Sequence, residues 1–466
     1  MSALGSPRRR GDRPLSVVVS GSSAFHRDLL APTIREAATG DGVYIIDRNG
    51  KRYLDGSSGS GPSCLGHSNA AVRAAMHAQL DAIAYAHTAF FTSAPMEELA
   101  QNLCADAPDN LSHVWFTNSG AEATDAALKL TRQYFIDSGQ PERHIVIGRH
   151  GGYVGSTLAG LAAGGSERRR GPFKPLLPTN AAHIGPAYAY RGMLQGESPG
   201  DFALRTAREL EATIERIGPS RVSAFICETV VGSILGAVTA PEGYFREIRR
   251  ICDRYGILLI LDEVMCGMGR VGTKYAFLQE GICPDLVMIG KALAGGYAPL
   301  GAVLVGDAIH NAIRDRTGFF RHGHSFHGHT LACTAALAVQ REIDERDLLS
   351  NVAKSGLLLD RLLRERFAEH PYVGDIRGRG LMQGIEIVAD RSTKQNFDPA
   401  LRIDARLTEH ALELGLICYV SGSSPESEVG DHVLLMPPYI VEPVHIEEIV
   451  DKLAGALDRT LERRPS

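Results

Sequence analysis

The chain has 466 residues, 44% hydrophobic and 22% charged, which is ample material for a large globular core spread over more than one domain. Lys and Arg number 49 against 54 Asp and Glu, a formal net charge of −5, which argues against a nucleic-acid partner held by phosphate neutralisation. No apolar run approaches a membrane span, and eight scattered cysteines without a CxxC pair fit a reduced, cytoplasmic enzyme with no membrane partner.

Residues 1–23 carry Arg8, Arg9 and Arg10 but no apolar stretch, so they read as a disordered start rather than a signal peptide. Residues 42–56 (GVYIIDRNGKRYLDG) predict a hairpin, with Asn49-Gly50 supplying the positive-φ turn. From about residue 66, short apolar runs alternate with helical stretches. Strands are expected at 113–116, 145–147, 224–227, 257–261, 286–289 and 302–305, and helices at 121–137, 203–217, 244–255 and 331–344. Strands buried on both faces and separated by helices predict an α/β domain with a mostly parallel sheet. Beyond about residue 345 the pattern is mixed. A long helix through His370, a strand at 384–388, a helix at 400–414, a strand at 433–436 and a terminal helix from Val444 suggest a smaller α+β domain. Residues 422–427 (GSSPES) read as an exposed loop. The expected division is 1–65 as an N-terminal segment joining the small domain, 66–330 as the large domain and 331–466 as the C-terminal small domain.

Three segments carry chemistry. In FTNSGAE (116–122) an apolar strand ends and Ser119 precedes Glu122 at capping-box spacing. Such a helix start presents free N–H groups and a positive dipole end to a phosphate, although a plain capped helix has the same signature. In GILLILDE (256–263) the pair Asp262-Glu263 lies at the carboxyl end of a buried strand, where α/β folds bind ligands. A magnesium carboxylate of a nucleotide hydrolase would need an upstream GxxxxGK[ST], which is absent; a buried acid facing a cationic ring nitrogen is the other reading. In PDLVMIGKALAGGY (284–297) Lys291 directly follows a buried strand inside a glycine-rich turn. It is either a lysine snorkelling to water or a desolvated amine suited to a Schiff base. His322, His324, His327 and His329 in RHGHSFHGH (321–329) raise a metal-dependent hydrolase as a rival, but HExxH and ligand-spaced cysteines are missing, so no metal is expected.

The order of phosphate turn, strand-end Asp, Lys and glycine–histidine loop strongly resembles the class III (subgroup II, ω-type) aminotransferases, pyridoxal-phosphate enzymes of fold type I. The blocks CDRYGILLILDEVMCGMGRVG and PDLVMIGKALAGGYAPLGAVL are typical, and the likeness runs from YLDGSSG near Tyr53 to GDHVLLMPP at 430–438. The resemblance implies that Lys291 carries the cofactor and serves as base and acid of the proton shift. It implies that Asp262 pairs with the pyridinium nitrogen and that Ser119, Gly120 and Ala121 form the phosphate cup. Tyr153 and Val264 would then flank the ring, with Glu228 in the family's acidic position. Ser325, or less readily Thr330, would reach the phosphate of a neighbouring subunit, which implies a homodimer or a dimer of dimers.

The departures bear on substrate. Ornithine- and GABA-type members carry a Glu–Arg switch at the positions held here by Ser233 and Leu434, and amine:pyruvate members often carry a mobile Arg where Ser427 stands. Met265 replaces a Gln that bonds the ring hydroxyl, and Val154 a His after the stacking aromatic. Residues 57–62 (SSGSGP) are either a small pocket wall or a tight turn, and Phe90 and Phe91 either line the entrance or belong to the core. The acceptor's carboxylate still needs a cation, for which Arg27, Arg191 and Arg321 are candidates, with Arg27 first. The expectation is amino transfer from an amine or ω-amino acid to pyruvate or 2-oxoglutarate. Racemase, decarboxylase or phospho-lyase outcomes are the alternative on the same fold.

Overall fold

The computed structural model describes residues 24–25, 34–422 and 430–462. Arg8, Arg9, Arg10, Arg27, Ser427 and nearly all of the 422–427 loop lie outside the described residues. The centre is a seven-stranded sheet: β1 (His113–Thr117), β2 (Ile145–Arg149), β3 (Ala181–Ile184), β4 (Val222–Glu228), β5 (Leu258–Asp262), β6 (Leu286–Ile289) and β7 (Gly301–Val305). Its order is β1-β7-β6-β5-β4-β2-β3. Every residue of β4, β5 and β6 is buried, which explains why these strands read as unbroken apolar runs rather than alternating ones. Six strands share a direction, and β7 alone runs antiparallel to both neighbours, β6 and β1. The reason is the connection. A parallel return needs a long crossover, whereas β6 leads into β7 through the short turn-rich segment that carries Lys291.

Helices Gly120–Asp137, Pro199–Ile217, Tyr244–Tyr255 and Thr330–Glu345 fall where the periodicity places them, with ends shifted by a few residues. Edge strand β3, sequence AAHI, has no β-branched run and escapes a sequence reading; within the sheet it pairs with β2 alone, in parallel, and it sends Ile184 into the core. Helices Ala70–Ala82 and Ala94–Ala105 were also not expected. They bury only Val72, and Leu99 and Leu103, respectively, so their apolar periodicity is weak.

A second, antiparallel sheet joins Val373–Arg379, Met382–Ile387, Asp431–Leu435 and Tyr419–Ser421. The expected hairpin forms from Tyr44–Asp47 and Arg52–Asp55, and Leu416–Ile417 adds to it in parallel, so the N-terminal strands bond to the C-terminal third of the chain. Its turn differs from the expectation. Only Gly50 takes a positive φ (+82°), and Asp47 Oδ1 closes the loop by accepting the N–H groups of Asn49 and Lys51 at 2.8 and 3.0 Å. Among the described residues no helix is long and apolar enough to cross a membrane.

Candidate active site

The carboxyl ends of the same-direction strands converge on one edge of the sheet, the crevice where open α/β sheets bind ligands. After β1, Ser119 caps α1 (Gly120–Asp137): its Oγ accepts the Glu122 N–H at 3.2 Å, a cap worth about 1 kcal/mol. Glu122 turns back to the N–H of Asn118 (2.7 Å), one residue before the strict capping-box position. The N–H groups of Gly120 and Ala121 donate to no acceptor among the described residues, which leaves two donors and a dipole end for an anion. A Cβ on Gly120 would lie 2.7 Å from a Val264 methyl, so glycine is what lets the cap and the segment after β5 close up.

Asp262, ending β5, is the register partner of Glu228, ending β4. Asp262 Oδ1 accepts the Val264 N–H (2.9 Å), and Glu228 accepts the N–H groups of Tyr153 (2.9 Å) and Gly232 (2.7 Å). Burial, then the neighbouring Glu228 carboxylate, pushes the Asp262 carboxyl well up, and burial does the same to Glu228. The alternation of the strand turns Glu263 the other way. Fully buried, it takes the Thr229 hydroxyl (2.8 Å) and the N–H groups of Ala276 (2.6 Å) and Phe277 (2.7 Å), and burial lifts its pKa to about 7. Of the Asp-Glu pair, only Asp262 serves the crevice.

Lys291 follows β6 with φ +47°, in the left-handed region that a side chain enters at a cost of about 1–2 kcal/mol. A Cβ on Gly61 would sit 3.3 Å from Lys291 Cδ, so the lysine stem crosses the loop 57–62. That loop is a tight turn with four consecutive left-handed residues (Ser58 +48°, Gly59 +60°, Ser60 +71°, Gly61 +107°), and it also walls the lysine. Burial pushes the Lys291 amine down, while Asp262 and Glu228 pull it back up. Two buried carboxyls thus face one amine, an arrangement one positive charge short. A protonated ring nitrogen would supply that charge, and the free N–H pair of α1 would receive a phosphate. The residues present fit pyridoxal phosphate.

The class III aminotransferase family matches residues 30–457. An uncharacterized aminotransferase of Schizosaccharomyces pombe is 39% identical over 93% of this chain and 94% of its own length. The putrescine–pyruvate aminotransferase of Pseudomonas aeruginosa is 35% identical over 90% of each chain. The ω-transaminase of Pseudomonas jessenii in complex with PMP superposes with a TM-score of 0.87 at 34% identity, covering 92% of this chain and 93% of that one. This chain belongs to the class III aminotransferases. It has the fold of type I pyridoxal-phosphate enzymes, depends on that cofactor and transfers an amino group to a keto acid.

Within this class III aminotransferase, Lys291, Asp262, Glu228, Val264, Tyr153 and the Ser119–Gly120–Ala121 turn come together as described. Ser325 does not join them in its own subunit. It is exposed, and its carbonyl accepts the Tyr85 hydroxyl (2.6 Å), while Thr330 is buried at the start of its helix. Phe90 and Phe91 are 81% and 67% exposed, so they are not core. Arg191 is no free cation: Nε meets Glu386 at 2.5 Å, and Nη1 and Nη2 bind the Lys394 carbonyl and Asn396. Arg321 is exposed, its backbone N–H bonded to Gln133. Leu434 packs with Met265, Met436 and Tyr419, and Ser233 is buried, its carbonyl facing His432 Nε2 at 3.1 Å. The histidines have mundane partners: His324 meets Asn118, His327 meets the Phe116 carbonyl and stacks on Trp115, and His322 meets Lys129. Among the described residues no group of three or more His, Cys, Asp or Glu side chains could hold a metal.

Two arginines were missed in the sequence. Arg270 is fully buried and ties the site's walls together by donating to the carbonyls of Gly61 (3.3 Å), Leu381 (3.2 Å) and Pro437 (2.5 Å). Its signal was its place in GMGRVG, where a charge sits among residues that otherwise read as buried. Arg169 lies 4.6 Å above the Tyr153 ring, hidden in the sequence within an ordinary-looking basic run.

Proposed function

We propose that this aminotransferase takes its amino group from an amine or an ω-amino acid and delivers it to pyruvate or 2-oxoglutarate. The observation that carries this is the pair Ser233 and Leu434, buried in apolar packing where a fixed Glu–Arg pair would otherwise grip a donor carboxylate. An unpartnered buried carboxylate costs several kcal/mol, so donors that place one there are disfavoured. The P. aeruginosa relative, named for putrescine and pyruvate, supports the same pairing.

When bound, the cofactor supplies an electron-accepting ring that stabilises the charge left at the substrate carbon. Lys291 Nζ would hold the cofactor covalently and, as a free amine, would take and return the proton at the substrate carbon. Asp262 would keep the ring nitrogen protonated, and Glu228 fixes the nearby backbone by accepting the N–H groups of Tyr153 and Gly232. Gly120 and Ala121 would donate to the phosphate beside Ser119, Val264 and Tyr153 would flank the ring, and Ser325 would complete the partner's phosphate site in a homodimer. All eight cysteines are free, six of them buried, which supports a reducing, cytoplasmic setting.

The test is a half-reaction screen in which holoenzyme is mixed with a panel of amines, ω-amino acids, ornithine and GABA, and the cofactor's visible absorbance is followed. Amines should discharge it fastest and pyruvate or 2-oxoglutarate should restore it, with ping-pong kinetics. Ornithine or GABA as the best donor by kcat/KM would overturn the donor assignment, and turnover with a single substrate would point to racemase or lyase chemistry instead.

A further inference from the structure

Beside the cofactor-facing edge lies a cleft of about 1000 Å³ that opens from Tyr153 past the carboxyl ends of β2 and β3. Four arginines line it, Arg168, Arg169, Arg191 and Arg205. Three have their side chains bonded to an acceptor. Arg191 is bound to Glu386 (2.5 Å), Arg205 to Glu197 (2.7 Å), and Arg168 to the Gly422 carbonyl (2.9 Å). The carboxylates in the wall are likewise engaged, Glu167 by Lys174 (2.7 Å) and Glu209 by the Gly185 N–H (2.8 Å). Arg169 differs. Its guanidinium stacks 4.6 Å over the Tyr153 ring and, among the described residues, meets no carboxylate and no hydrogen-bond acceptor. Stacking uses the face of the guanidinium and leaves its edge, the fork that matches a carboxylate, free for a ligand. Tyr153, on which the guanidinium stacks, ties the cleft to the site through its N–H bond to Glu228 (2.9 Å), and the Arg169 charge adds a minor downward push on the Lys291 amine.

We propose that Arg169, held on Tyr153, is the cation that receives the carboxylate of the keto-acid acceptor. This rests on the amino-transfer reading above and assigns the specificity residue of that same site. Arg191, with each of its three nitrogens already bonded and its charge paired with Glu386, is not free to do this, and the positions of Ser233 and Leu434 carry no cation. A cleft this size accommodates acceptors larger than pyruvate.

The test compares two acceptors for amine-loaded holoenzyme, pyruvate and the small aldehyde propanal, which has no carboxylate, with propionate as an unreactive ligand followed by calorimetry. Loss of a charge-assisted hydrogen bond should lower kcat/KM for pyruvate about 10–100-fold in Arg169→Ala, mainly through KM, and weaken propionate by a similar factor. Propanal should be used as well by the variant as by the wild type. Arg169→Lys should recover part of the loss, because it keeps the charge without the fork. Equal losses with both probes, or no loss with pyruvate, would overturn the proposal. Its failure is distinct from failure of the amino-transfer reading, in which the wild-type enzyme would not exchange amino groups between any amine and any keto acid.

Discussion

Lys291, Ser58 and Ser60 all hold left-handed backbones, and the two serines lie in the loop whose Gly61 touches the lysine stem. Non-glycine residues at positive φ persist only where surrounding contacts over-determine them, and such strain gathers at functional sites. The contacts here are Asp55, which binds the Ser57 N–H at 3.1 Å, and Arg270, which binds the Gly61 carbonyl. These contacts fix the loop that walls the Lys291 stem, and Asp262 lies close enough for its charge to pull the amine's pKa up. Lys291→Ala should fold, bind pyridoxal phosphate only non-covalently, and lose at least 10²-fold in turnover, the lower end for proton-transfer catalysis. Asp262→Asn should stay yellow but react slowly with amines, because the ring nitrogen loses its ionised partner. Stopped-flow absorbance checks both, and a tenth of wild-type activity in Lys291→Ala would refute the assignment. The sequence exposed these two residues because a Lys and an Asp at the ends of apolar strands violate the usual preference for water. It hid Arg169 because a surface RRR run looks the same whether or not one member turns inward.

At the scale of elements, strand Asp431–Leu435 couples the small sheet to the loop that carries Ser233. Its His432 is buried, with Nε2 at 3.1 Å from the Ser233 carbonyl and Nδ1 at 3.3 Å from that of Gly430. Burial, then the Arg377 charge, pushes its pKa from the ordinary 6.5 down to about 4. Below about pH 6.5 the unfolded chain binds a proton that the folded one refuses, so stability is full above that pH and falls towards pH 4. The loss is on the order of 3 kcal/mol across the window. Thermal melts at pH 7.5 and 5 should show a drop in Tm for the wild type that His432→Gln reduces; an unchanged drop would place the acid sensitivity elsewhere. Neither this coupling nor edge strand β3 was legible, because both depend on which distant segments meet. The central strands were legible because burial on both faces leaves an apolar signature in each strand by itself. The direction of β7 was not, since an apolar run is the same in either direction.

At the scale of the whole molecule, several of the most exposed apolar side chains among the described residues gather in one place. Phe90 (81%), Phe91 (67%) and Phe326 (53%) share one neighbourhood: His87 meets Phe90 at 5.8 Å, Tyr85 meets Phe326 at the same distance, and the Tyr85 hydroxyl binds the Ser325 carbonyl. Tyr85 and His87 themselves pack edge-on at 6.5 Å, which makes the patch continuous. Leu80 and Ile83, at the end of the helix Ala70–Ala82 that otherwise buries only Val72, are about half exposed as well. Adjacent aromatics left to water around Ser325, for which the family resemblance implies a reach to a partner, are what a subunit interface looks like before its partner is added. The wild-type enzyme should therefore sediment as a dimer or a dimer of dimers at concentrations where it is active. Phe90→Asp with Phe326→Asp places charges in that face and should yield monomers that lose activity and cofactor together, because each phosphate site lacks its partner's contribution. Ser325→Ala should stay dimeric yet bind the cofactor about 10-fold or more weakly, the cost of one hydrogen bond to a charged group. A fully active monomer, or Ser325→Ala with unchanged cofactor affinity, would show that each subunit completes its own phosphate site.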